Sequence, residues 1–258
     1  MRRAYGGPND RNRLDPPTDM NDASAIALSS QLAVLHQTDV IANNLANLST
    51  TGFKGEHVLF AQYLSQASDG TPVAYVQELG TARDASQGPI TQTSNPLDIA
   101  IRGDGYFTVQ TPLGQRFTRN GHFQLDADRQ IVTSQGYPVL SDSGSPLVVP
   151  DGAGEITIGA DGSVSTTQGT AGKIGVSTFA DQQALTPTAG GFYSTVQTPQ
   201  PATDTKLVQG SVEGSNVEPI IEITRLLSAQ RSVEYAKTFI NAQATQTSNA
   251  LDHLGKTV

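Results

Sequence analysis

The chain has 258 residues, 36% hydrophobic and 6% aromatic, with no tryptophan, 25 glycines and 14 prolines, which suits short extended elements and turns better than one thick core. A formal net charge of −8 argues against general nucleic-acid binding, where Lys and Arg must displace phosphate counterions. With no cysteine, disulfides, thiolate zinc sites and thiol catalysis are excluded.

The opening stretch MRRAYGGPNDRNRLDPPTDM carries Arg2, Arg3, Arg11 and Arg13 with Pro8, Pro16 and Pro17, and no apolar run follows them. It is not a secretory signal, and no segment of the chain is long and apolar enough to span a bilayer. Residues 1–19 read either as a disordered tail or as an extension upstream of a start at Met20.

From Ala25 to Leu48 apolar triplets recur every seven residues, at Ile26-Ala27-Leu28, Ala33-Val34-Leu35 and Val40-Ile41-Ala42, with Leu32, Leu45 and Leu48 between them. Seven residues are close to two helical turns, so the spacing predicts one apolar side on a helix over 20–52. Its start has Asp22 or Ser24 as a cap. Asn43, Asn44 and Asn47 crowd its last turns, and Gly52 with Phe53 gives the pattern of a left-handed stop with Phe53 packed on Leu48. Residues 53–87 then read as a linker or extended connector.

Over 88–197 the period changes to two. Leu97, Ile99 and Ile101 share a face, a turn follows at Gly103-Asp104-Gly105, and Phe107 and Val109 return. Asn120-Gly121 between Phe117 and Phe123 is a hairpin signal, and Asp161-Gly162 between Ile158 and Val164 is another. This predicts a central antiparallel all-β domain. Residues 198–218 read as a linker and return segment, entered through QTPQPATDTK. A second helix is expected over 219–255, capped by Asn216, with Pro219 in its first turn and Gly255 at its end. Ile223, Leu226, Gln230, Val233, Lys237, Ile240, Leu251 and Leu254 follow heptad-like steps along it. The fold class expected is thus mixed α and β, with long N- and C-terminal helices pairing as a coiled coil beside the β domain.

No chemistry of catalysis stands out. GDGYFT lacks the third glycine of a dinucleotide loop, since Thr108 takes that place, and it leads into a strand. Asp126 and Asp128 lack the glycine and glutamate of a calcium loop. His36, His57, His122 and His253 are scattered, with no pair at metal-ligand spacing, and no G-x-S-x-G elbow occurs. The chain does not read as an enzyme, and no catalytic, cofactor or metal residue is assigned.

Four stretches carry a resemblance to a known family. DVIANNLANLSTTGFKGE and GSVEGSNVEPIIEITRLLSAQRSVEYAK resemble the terminal motifs of bacterial flagellar axial proteins of the rod and hook. SNPLDIAIRGDGYFTVQTPLGQRFTRNGHFQLD and IVTSQGYPVLSDSGSPL are similar to that family's β region. The resemblance covers about 20–254 and is nearest to proximal rod members, with distal rod or hook-type members as the alternative. It implies a structural subunit of the flagellar basal-body rod that transmits torque across the periplasm and is required for motility. In such proteins the terminal helices form an inner coiled-coil tube. The resemblance also implies rod subunits as partners, transit through the flagellar export apparatus without a cleaved signal peptide, no cofactor, no nucleic acid and no membrane insertion.

The candidate assembly interface is then Ile26, Leu28, Leu32, Leu35, Ile41, Leu45 and Leu48 with Ile223, Leu226, Leu227, Val233, Ile240, Leu251 and Leu254. Asn43, Asn44 and Asn47 belong either to a plain polar helix face or to hydrogen bonds with neighbouring subunits. A reading of another class makes the β domain a binding module for the cell wall or a bushing protein. Tyr106, Phe107, Phe117 and Phe123, however, alternate as core residues do.

Overall fold

The structure is a computed structural model that describes residues 19–66 and 72–255. The expectation for residues 1–18 lies outside them. The described part opens with α1, Asp19–Ala46, so Asp22 and Ser24 lie within the helix and do not cap it. β1 (Glu56–Gln66) and β2 (Pro72–Arg83) follow as a two-stranded sheet within the stretch 53–87, read from sequence as a linker or extended connector. The strands β3 (Ile90–Gln92), β4 (Ile99–Arg102), β5 (Tyr106–Thr111), β6 (Gly114–Thr118), β7 (Phe123–Leu125) and β8 (Ile131–Thr133) come next. After them run β9 (Thr157–Ile158), β10 (Ser163–Thr166), β11 (Gly169–Lys173), β12 (Val176–Thr178), β13 (Thr186–Thr188) and β14 (Phe192–Ser194). β15 (Gln200–Pro201), β16 (Lys206–Gln209), β17 (Ser211–Glu213) and α2 (Pro219–Gly255) complete the order.

The described residues divide into two compact units, one drawn from 19–37, 59–66, 72–80 and 228–255 and the other from 38–58 and 81–227. In the first, α1 and β2 are tied by His36, whose Nδ1 lies 2.7 Å from Oε1 of Glu78. The second holds the β region. Its largest sheet has six strands in the order β13-β14-β6-β5-β12-β15, with smaller sheets β11-β10-β9, β16-β4, β17-β3 and β7-β8. The pairings within these sheets are antiparallel.

Period-two alternation explains why β5 lies at the centre. Phe107 and Val109 enter one core cluster with Ile99, Ile101, Phe123 and Leu207, while Tyr106 enters another with Phe117, Phe179, Leu185 and Tyr193. Phe107 and Phe123 meet edge to face at 5.0 Å between centroids, a favoured geometry for two ring quadrupoles.

Two expected hairpins are corners instead. β4 pairs with β16 and β5 with β6 and β12, so the Gly103–Gly105 turn carries the chain from one sheet to another. Asn120-Gly121 likewise separates β6 from β7, which pairs with β8. The glycine there serves close approach: Ile99 N–H donates to Gly121 O at 2.9 Å, and a Cβ at Gly121 would sit 1.7 Å from Ile99 O. The segment read as a linker after Gln197 contains β15, β16 and β17, which return to β12, β4 and β3.

The expected coiled coil is corrected. The described residues hold two helices, of 28 and 37 residues, beside a dominant β part, and no coiled coil forms. Knobs at heptad spacing need a facing row of holes. Leu28, Leu32 and Leu35 of α1 and Ile223, Leu227 and Ile240 of α2 remain exposed instead. Heptad spacing records which side is apolar, not what covers it. No helix of the described residues is long and apolar enough to cross a membrane.

Candidate functional site

A strongly charged interior point of the β unit lies where the segment after α1 meets the segment before α2. Glu213, the last residue of β17, is 1% exposed. Its Oε1 accepts from Lys54 Nζ at 2.7 Å and from Gly88 N–H at 3.0 Å, and its Oε2 accepts from Arg119 Nε at 2.7 Å. Lys54 also donates to Ser86 O at 2.6 Å. Arg119, at the corner after β6, donates to Gly103 O at 2.6 Å and to Gly105 O. One carboxylate therefore fastens four separate stretches of chain.

Two cations share this single anion. Burial pushes the Lys54 ammonium below its usual range, the bond and charge of Glu213 oppose that, and the nearby Arg119 charge adds to it. Burying such charges is offset only where their remaining donors are also satisfied, and the backbone carbonyls of Ser86, Gly103 and Gly105 accept from Lys54 and Arg119.

Gly52 belongs to this junction and is not a helix stop. α1 ends at Ala46, and Gly52, at φ +70°, donates its N–H to Glu213 O at 2.8 Å. A Cβ there would lie 2.5 Å from the Arg119 carbonyl carbon, so the close approach needs glycine. Phe53 is half-buried and donates its N–H to Thr50 O, so the expected Schellman pairing is replaced by a turn.

The asparagines separate by role. Asn44 is 1% exposed and brackets the backbone of Glu56, accepting from its N–H at 3.0 Å and donating to its carbonyl at 2.8 Å. That bracket fixes the end of α1 to the start of β1. Asn47 closes its own turn through Asn43 O and the Thr50 hydroxyl, and Asn43 is exposed. Asn216, expected as the cap of α2, instead accepts from Gly55 N–H at 2.8 Å and donates to Asp84 O and Ser86 O. Glu218 takes the cap position, its carbonyl accepting from Glu222 N–H at 3.1 Å.

Of the predicted interface, Leu28, Leu32, Leu35, Ile223, Leu227 and Ile240 are exposed, Ile41 is buried, and Leu45, Leu48, Leu226 and Val233 are half-buried. The side chains of Ile26, Leu251 and Leu254 lie outside the described residues. Sequence reasoning missed Lys54, Arg119 and Glu213. The available signal was a charged residue set inside each of three glycine-containing turn stretches, TTGFKGE, RFTRNGH and GSVEGS.

Residues 25–54 match the family described as Flagella basal body rod protein, and residues 100–166 match Flagellar hook protein FlgE/F/G D1 domain. Residues 208–251 match Flagellar basal body rod FlgEFG protein C-terminal. The chain is similar to flagellar basal-body rod protein FlgF of Caulobacter vibrioides, 37% identical over 243 residues, covering 92% of this chain and 99% of the relative. FlgF of Mesorhizobium japonicum is 33% identical with the same two coverages. Flagellar basal-body rod protein FlgG of Bacillus subtilis is 35% identical over 76% of this chain and 85% of its own length. Lys54 falls in the first matched region, Arg119 in the second and Glu213 in the third, so the buried triad takes one residue from each.

Proposed function

The chain belongs to the flagellar basal-body rod protein family and is a structural subunit of the rod, and from that premise we propose that it is a proximal-rod subunit transmitting torque across the periplasm. The FlgF relatives align over 89–92% of the chain against 76–86% for the FlgG relatives, which favours that type over the distal one. Members of the family assemble with other rod and hook subunits.

The apolar rows of α1 and α2 are the assembly surface on this reading. The observation that carries it is the exposure of Leu28, Leu32, Leu35, Ile223, Leu227 and Ile240 in the single chain. Contiguous apolar side chains left in water mark a surface that a partner covers. On this reading the subunit passes through the flagellar export apparatus and has a mechanical role in the rod.

Replacing Leu32 or Leu227 with Asp tests the surface, because each is exposed and its loss costs the monomer little. Each variant strain should lose motility, and the subunit should be missing from its purified basal bodies, while the purified chain unfolds at the wild-type denaturant midpoint. Normal motility with normal incorporation would remove the helices from the interface. Wall or bushing binding gains no support, since Tyr106, Phe107, Phe117 and Phe123 are all buried.

A further inference from the structure

A cavity of about 100 Å³ lies beside the first turn of α2, lined by Asn44, His57, Asp84, Glu218, Glu222 and Arg225 among others. Glu222 is 4% exposed, and its Oε1 accepts from Arg225 Nη1 at 2.6 Å. Its Oε2 is buried and has no hydrogen-bond partner among the described residues. A carboxylate oxygen held away from water without a donor is costly.

The surroundings are acidic. Glu218 and Asp84 line the same cavity. Burial alone would raise the Asp84 carboxyl, but hydrogen bonds from the Ser86 N–H, at 2.8 Å, and hydroxyl outweigh it and hold the group below its usual range. His57 Nδ1 lies 3.3 Å from Arg225 Nη1, and because a guanidinium only donates, that nitrogen is placed to accept. Among the lining side chains the Arg225 guanidinium thus stands beside the carboxylates of Asp84, Glu218 and Glu222.

The apolar part of the lining is Val217 and Ile221, of which Ile221 is exposed. Among the described residues no group of three His, Asp or Glu side chains could hold a metal ion. The space admits one small head group and excludes a strand or helix.

We propose that this cavity receives the cationic head of an arginine or lysine from a neighbouring rod subunit, which donates to Glu222 Oε2. The inference rests on the assembly reading above and adds a specific polar lock to its apolar surface. A desolvated charge pair ringed by apolar contacts is the arrangement that carries specificity at interfaces.

Glu222→Gln keeps the shape and the bond to Arg225 but removes the charge. Its incorporation into purified basal bodies should fall about tenfold or more relative to wild type, while the purified full-length chain keeps the wild-type unfolding midpoint. Because the chain has no cysteine, Ile221→Cys places a single thiol at the rim. That thiol should react with a maleimide in the free chain and be protected in basal bodies. Wild-type incorporation of Glu222→Gln, a lowered midpoint that accounts for its loss, or an unprotected thiol would each overturn the proposal. If Leu227→Asp also incorporates normally, the assembly reading itself fails. If only Glu222→Gln does, the polar lock alone is lost.

Discussion

Lys54 is held where an ammonium is poorly solvated, and that makes its protonation a measurable contribution to stability. With the folded value pushed below the ordinary 10.4 or so, the unfolded chain binds more protons in the interval between the two. The contribution of this group is therefore fully present above about 10.4 and is lost as the pH falls through the lowered folded value. Between pH 8 and pH 10 the urea midpoint of the wild-type chain should rise relative to that of Lys54→Met. Staying at or below pH 10 matters because burial pushes Tyr193 up to about 12, a shift whose stability is lost only at higher pH. Parallel midpoints in the two proteins would mean that Lys54 does not titrate in this interval. The same residue explains what a sequence leaves out. Lys54 stands among Gly52, Phe53 and Gly55, and nothing local names Glu213, 159 residues away, as its partner.

At the scale of elements, local burial patterns carry most of what was legible. Ile99, Ile101, Phe107 and Val109 alternate as core residues because each strand face meets a different neighbour, and all four are buried. Turn chemistry at Asn120-Gly121 foretells a sharp bend but not which strands it separates, since that depends on Ile99 approaching from elsewhere in the chain. The heptad rows of α1 and α2 were legible as apolar sides, while their coverage was not. The asparagine cluster before the turn shows the same limit, because three adjacent amides do different work. Asn44→Ala should cost about 1–3 kcal/mol by removing both bonds to Glu56, whereas Asn43→Ala, at an exposed site, should stay within about 0.5 kcal/mol. Equal denaturant midpoints for the two variants would show that the bracket between α1 and β1 contributes nothing.

For the chain as a whole, the triad closes a loop from one end of the β region to the other. β3 with β17 and β4 with β16 bring distant strands together, and Glu213 adds the segment that follows α1. Closing so long a loop costs entropy that grows only slowly with its length, so a few well-satisfied bonds can hold it. In a rod subunit this is where the segments leading to both helices are attached to the β region. Glu213→Gln leaves Lys54 and Arg119 buried without an anion, and breaking such a pair from one side costs about 3–5 kcal/mol. Lys54, 3% exposed in the native chain, is then the natural reporter, because trypsin cleaves after it only in the opened form. When opening is fast relative to cleavage, a 3 kcal/mol loss raises the rate of cutting at Lys54 by about a hundredfold or more. Mass spectrometry of a timed digest follows that one bond, apart from the exposed sites at Arg231 and Lys237 on α2. Unchanged cutting after Lys54, with an unchanged unfolding midpoint, would mean that the strands alone hold the junction closed.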